Sequence, residues 1–118
     1  MQNNEKKYDL EERTAVFGEE VVKLCKLIRY DIVSEPIINQ LVRSATSVGA
    51  NYLEANGASS RKDFKNKIFI CKKEAQESRH WLRMLKLCCS SQKGKIEFLE
   101  QESKELSMIF HKIASSIS

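Results

Sequence analysis

Four constellations in this 118-residue chain combine residue types that could do chemistry. Glu77 and His80 form one E-x-x-H on a helical stretch. A bundle that holds a pair of metal ions uses two such motifs plus a glutamate from each of the other helices. Here Met108 stands where a second motif ending at His111 would need its glutamate. Lys73 and Arg79 lie close by and would repel a dication, so no metal site is expected. Cys71 and His80 are nine residues apart, about half a turn out of phase on one helix, too far round to form a nucleophilic pair. No Gly-rich phosphate loop, G-x-S-x-G or H-E-x-x-H occurs. The chain is therefore expected to be no enzyme and to carry no cofactor.

The other two constellations concern charge. Arg43, Ser47, Asn51 and Glu54 fall within about 80° of one another at helical spacing. They sit on a segment in which only Arg43 and Glu54 are charged between Pro36 and Ser60. Polar groups on so apolar a helix need partners, and Glu74 and Glu77 are the candidates for Arg43. The expected role is a structural network that fixes helix register. From Arg61 to Lys86 nine basic residues oppose three acids, Asp63, Glu74 and Glu77, for a net charge of +6. Lys65, Lys72, Arg79 and Lys86 recur every seven residues beside the apolar seam. Such a row is a solvated face, or one paired with Glu11, Glu12, Glu19 and Glu20. Repeated around an oligomer, it is equally a track for phosphates. Read without interleaved aromatic residues, it would contact phosphates and show little sequence preference.

The elements that position these groups follow from composition and spacing. Hydrophobic residues make up 42% and charged residues 31%, and only four glycines and one proline occur. That supplies one globular core and too little turn chemistry for a sandwich or barrel. A net charge of +4 permits a polyanionic partner without requiring one. The first residues lack the apolar core of a secretory signal, and no apolar run approaches the ~20 residues that cross a bilayer. Cys25, Cys71, Cys88 and Cys89 contain no C-x-x-C and read as reduced thiols of a cytoplasmic protein. Residues 1–8 are expected as a frayed tail and 9–118 as one domain.

Four amphipathic segments make up that domain. Asp9 caps the first, which carries Leu10, Phe17, Val21, Leu24 and Ile28 and is interrupted at Ser34-Glu35-Pro36. The second carries Ile38, Leu41, Ala45, Val48, Tyr52 and Ala55 and stops at Asn56-Gly57. It is rich in small residues that allow close backbone approach. Ser60 caps the third, whose seam is Phe64, Ile68, Cys71, Ala75, Ser78, Leu82, Leu85 and Cys89. After a turn at Ser90–Gly94, the fourth carries Ile96, Leu99, Leu106, Phe110, Ile113 and Ile117. Short connections predict an all-α, antiparallel, up-down-up-down four-helix bundle. The third helix also has a second apolar line in Ile70, Trp81, Met84 and Cys88. Either the N-terminal tail covers it or it is a subunit interface.

The runs Gln40–Ala55, Gly57–Phe64 and Lys72–Leu82 resemble the four-helix-bundle proteins encoded in intervening sequences of bacterial 23S ribosomal RNA genes. The accessory variability protein of diversity-generating retroelements is similar to that family. The likeness covers nearly the whole chain and departs at the first connection, Asp31–Pro36, which is shorter than the family's usual loop. It implies an antiparallel bundle assembled as a homopentamer, with Ile70, Trp81 and Met84 in the interface. The retroelement relative binds RNA and reverse transcriptase through a basic surface. By position, that implies RNA contacts at Arg61, Lys62, Lys65, Lys72, Arg79 and Arg83. For the intervening-sequence members themselves the likeness implies no biochemical activity. The leading expectation is a non-enzymatic, oligomeric RNA-associated protein; the alternative is an assembly module whose partner is protein.

Overall fold

The computed structural model describes residues 9–117, and residues 1–8, expected as a tail, lie outside the described part. Among these residues four helices follow one another: α1 (Leu10–Lys26), α2 (Ser34–Asn56), α3 (Arg61–Cys88) and α4 (Lys93–Ser115), with one 3₁₀ turn at Ser90–Gln92 before α4. No strand occurs among the described residues.

Three of these helices, α1, α2 and α3, begin where local hydrogen bonding favours a start. The Asp9 carboxylate accepts from the Glu12 amide at 3.1 Å, and the Ser60 hydroxyl accepts from the Asp63 amide at 3.0 Å. Both satisfy amides that have no intrahelical partner. The start of α2 differs from the sequence expectation. Ser34, Glu35 and Pro36 are its first turn, not a break before it. Asp31 Oδ1 accepts from the amides of Val33 (2.9 Å) and Ser34 (2.8 Å), while Ser34 Oγ accepts from the Asp31 amide (2.9 Å) and donates to the Arg29 carbonyl (3.1 Å). Proline fits there because no amide of a first turn has an intrahelical acceptor. α1 accordingly ends at Lys26, and Ile28 is buried from the connection instead of from the helix.

Cross-helix partners run in opposite directions along each neighbouring pair. α2 meets α3 through Arg43–Glu74 and Glu54–Lys67. α3 meets α4 through Lys86–Glu100, Lys72–His111 and Lys65–Ile117. α1 meets α4 through Glu20–Lys95 and Arg13–Glu102, and α2 through Glu11–Asn56. The bundle is therefore antiparallel throughout. Its seam residues form one core, with Phe17, Leu24, Ile38, Leu41, Ile68, Leu82, Leu99 and Phe110 almost fully buried. Tyr52 packs its ring 5.9 Å from that of Phe110.

The small residues act where α1 crosses α2. A Cβ on Gly18 would lie 3.5 Å from the Ala45 carbonyl oxygen and Thr46 Cα. One on Gly49 would lie 3.4 Å from Thr14. At either position a Cβ would just touch the facing helix at ordinary van der Waals distance, so the backbones approach closely and leave no room for a larger side chain. Between α2 and α3 the buried hydroxyls of Ser44 and Ser78 lie 2.9 Å apart, and each also reaches a carbonyl of its own helix. No helix among the described residues is long and apolar enough to cross a membrane.

Candidate nucleic-acid interface

The seam of α3 faces the core, so helical phase leaves the opposite side of the helix to solvent. Arg61, Lys62, Lys73, Arg79 and Arg83 are exposed, and Lys65 and Lys72 half-buried. None of these seven has an acidic partner among the described residues. Lys65 Nζ donates instead to the Ile117 carbonyl at 3.3 Å, and Lys72 Nζ lies 3.1 Å from His111 Nδ1.

The heptad row Lys65, Lys72, Arg79 and Lys86 flanks α4, not α1. Pairing with the acids of α1, one of the two readings of that row, is therefore overturned. Glu20 binds Lys23 and Lys95 and Glu11 accepts from Asn56. Hydrogen bonds from Lys95 and Lys23 hold the Glu20 carboxyl below its ordinary range. In the row only Lys86 is paired, with Glu100 at 2.8 Å and Glu97 at 3.4 Å, and its ammonium is correspondingly raised. Arg79, His80 and Arg83 face those glutamates and Gln101 across a shallow groove. Arg79, Arg83 and Lys86 against Glu97 and Glu100 leave the groove a net charge of +1.

The polar stripe of α2 divides into two parts. Arg43 Nη1 donates to Glu74 at 3.2 Å and Arg43 Nη2 to Glu77 at 2.6 Å, and the hydrogen bond to Glu74 leads in raising the Arg43 guanidinium. Asn51 donates to the Ser47 carbonyl within its own helix at 2.9 Å. Glu54 accepts from Lys67 at 2.7 Å. Neither reaches Arg43, because each lies about two turns or more further along α2. Arg43 is also not a buried charge: its side chain is 46% exposed, against 11% for Glu74.

Glu77, held by Arg43, is not drawn to His80, whose ring instead meets Trp81 edge-on at 4.9 Å. Among the described residues no three His, Cys, Asp or Glu side chains converge on a metal-sized site. Ile70, Trp81 and Met84 are half-buried and Cys88 is exposed. Trp81 packs its inner side on the core of its own chain.

Two features escaped sequence reasoning. Arg13 clasps Glu102 (2.8 Å) and Glu105 (2.9 Å) of α4, a pairing with no local signal. Phe69 is 48% exposed and lies within the basic face, Lys65 Nζ standing 6.0 Å from its ring centroid. The basic face therefore does contain an aromatic residue. Its signal was present: Phe69 is seven residues from both Lys62 and Gln76 and off the seam.

Residues 6–112 match the family model described as 23S rRNA-intervening sequence protein. The chain belongs to this family. No curated protein sequence matches it. Among solved structures, this intervening-sequence protein is similar to one described as a protein with unknown function from the S23 ribosomal protein family of Bacteroides thetaiotaomicron VPI-5482. The two share 32% identity over 88% of this chain and 96% of the other, with a TM-score of 0.75.

Proposed function

We propose that this intervening-sequence protein is a non-enzymatic, self-associating cytoplasmic protein that binds RNA phosphates through α3, with five copies as the assembly that the resemblance to its family implies. The observation that carries this reading is the contrast in pairing. Arg13, Arg43, Lys67, Lys86 and Lys95 each have an acidic partner. Arg61, Lys62, Lys65, Lys72, Arg79 and Arg83 have none among the described residues and share one side of one helix. A like-charged row without counter-charges costs the folded state self-repulsion. A polyanion removes that cost and releases its own counterions. Ile70, Trp81 and Met84 supply an apolar strip for contact with a second copy.

A specific observation favours a second reading, a protein-only assembly module. α1 and α2 leave an uncharged groove floor of Ala15, Gly18, Thr46, Gly49 and Ala50, walled by Val22 and Leu53, which suits a partner helix.

Fluorescence anisotropy with structured and single-stranded RNA at ~50 mM salt distinguishes the two. With about six phosphates neutralised, affinity should fall roughly 10³-fold by 200 mM salt. Lys62→Glu, Lys65→Glu and Lys72→Glu together should weaken binding without changing the mass seen by light scattering, whereas Trp81→Glu should release smaller species. Absence of RNA binding at low salt leaves the assembly module.

A further inference from the structure

Phe69 is an exposed aromatic ring in an unusual setting. It is 48% exposed, takes no part in the core, and stands on α3 among Lys62, Lys65, Lys72 and Lys73. Lys65 is held beside the ring by its bond to the Ile117 carbonyl. Apolar burial accounts for only part of the ring, since about half of it is open to solvent. An interface between two such faces is disfavoured as well, because it would bring two sets of unpaired lysines together.

We infer that Phe69 is a stacking platform for an unpaired base, so that α3 prefers single-stranded to duplex RNA. This rests on the RNA-binding reading and names which RNA that face takes. In an A-form duplex the bases are stacked inside and the outer surface offers phosphates and 2′-hydroxyls, to which a phenyl ring adds nothing. A single strand exposes π-faces, and single-strand binding grooves combine cations that track phosphates with rings that stack on bases. The cations are placed for this. Lys62 and Lys73 lie about one to two turns either side of the ring, and Lys72 lies three residues on. Along the same stripe, at steps of seven, follow Gln76 and Arg83. The exposed His80 ring stands ~16 Å from Phe69 at 1.5 Å per residue. A strand laid along α3 therefore meets a ring, an amide, a second ring and an arginine in order, with lysines on both flanks.

The test compares a single-stranded RNA of ~12 nucleotides, within the usual span of such sites, with a duplex containing the same strand. The unmodified protein should bind the single strand more tightly at equal salt. Phe69→Ala should weaken single-strand binding about tenfold, within the range of one base–ring stack, and leave duplex binding and the salt slope unchanged. Phe69→Trp should restore or exceed the original affinity. Equal loss for both probes, or no loss for either, overturns the inference while leaving phosphate binding intact. A changed oligomer mass in Phe69→Ala overturns it in favour of a subunit contact. If the unmodified protein binds neither probe at ~50 mM salt, the RNA-binding reading itself falls and the stacking platform with it. Alanine is the best helix former and Phe69 lies outside the core, so the variant should fold, as circular dichroism would verify.

Discussion

Replacing Arg43 with methionine tests the cross-helix network where its geometry is most explicit. The change removes the donors to Glu74 and Glu77 while keeping the alkyl stem that lies along α2. The Glu77 contact is a half-exposed surface pair and contributes ~0.2–1 kcal/mol at most. The Glu74 contact matters more. That residue is 8% exposed, and Arg43 is the sole side-chain donor to its carboxylate among the described residues. Breaking a fully buried ion pair costs ~3–5 kcal/mol. Here the guanidinium is half in solvent, so water can reach part of the vacated space. The appropriate scale is that of an unsatisfied, nearly buried acceptor, ~1–3 kcal/mol. At ~2.1 cal/mol/K per residue over 118 residues, each kcal/mol moves the melting temperature by ~4 °C. The expected drop is thus ~4–12 °C, read by circular dichroism at fixed protein concentration, since self-association shifts melting. Glu74→Gln in the Arg43→Met background should recover part of the loss, because a neutral amide is cheaper to leave half-solvated than a carboxylate. An unchanged melting temperature, or a double variant no better than the single one, refutes the reasoning and makes Glu74 a solvated group.

Two further expectations concern the core and the helix ends. Burial pushes the Cys25 thiol up to about 11 and the Cys71 thiol up to about 12, whereas Cys88 is exposed and Cys89 half-buried. At pH 8 a thiolate-selective reagent should modify Cys88 first and Cys89 more slowly. It should reach Cys25 and Cys71 only on unfolding; three or more fast thiols would contradict the packing. A Cβ on Gly94 meets nothing within 4 Å, so Gly94→Ala should stabilise by ~0.5–1 kcal/mol. Gly49→Val should destabilise, because its methyls would extend beyond a Cβ already 3.4 Å from Thr14; equal melting shifts in the two variants would be the contrary result.

What the sequence disclosed and what it concealed divide along physical lines. The caps at Asp9 and Ser60 were legible because donor and acceptor are three residues apart. The seams were legible because apolar burial repeats with the helical turn. The Arg43 partnership could be read because α2 offers so little other charge. Helical phase, however, gives the direction a side chain points, not the neighbour it meets. That is why the basic row was offered the acids of α1 when α4 lies beside it, and why Glu54 was grouped with Arg43 when Lys67 is closer. Pro36 misled because its effect depends on position: it disrupts a helix interior but suits a first turn. Phe69 was passed over because, although flanked by Ile68 and Ile70 in sequence, it falls on neither apolar line of α3.

The clasp between α1 and α4 bears on the order in which the molecule is made. α1–α2, α2–α3 and α3–α4 are sequence neighbours, so each can close as a short hairpin at small entropic cost. α1 and α4 are the exception: Arg13 finds Glu102 across 89 residues and Lys95 finds Glu20 across 75. A chain leaving the ribosome can zip its first three helices but must wait for the last to cover them. Until Leu99, Leu106 and Phe110 arrive, the seams of the earlier helices stay open to water, and two nascent chains held side by side would meet through them. α4 is therefore the lid of the core, and the ion pairs on α1 fasten only once that helix has been made.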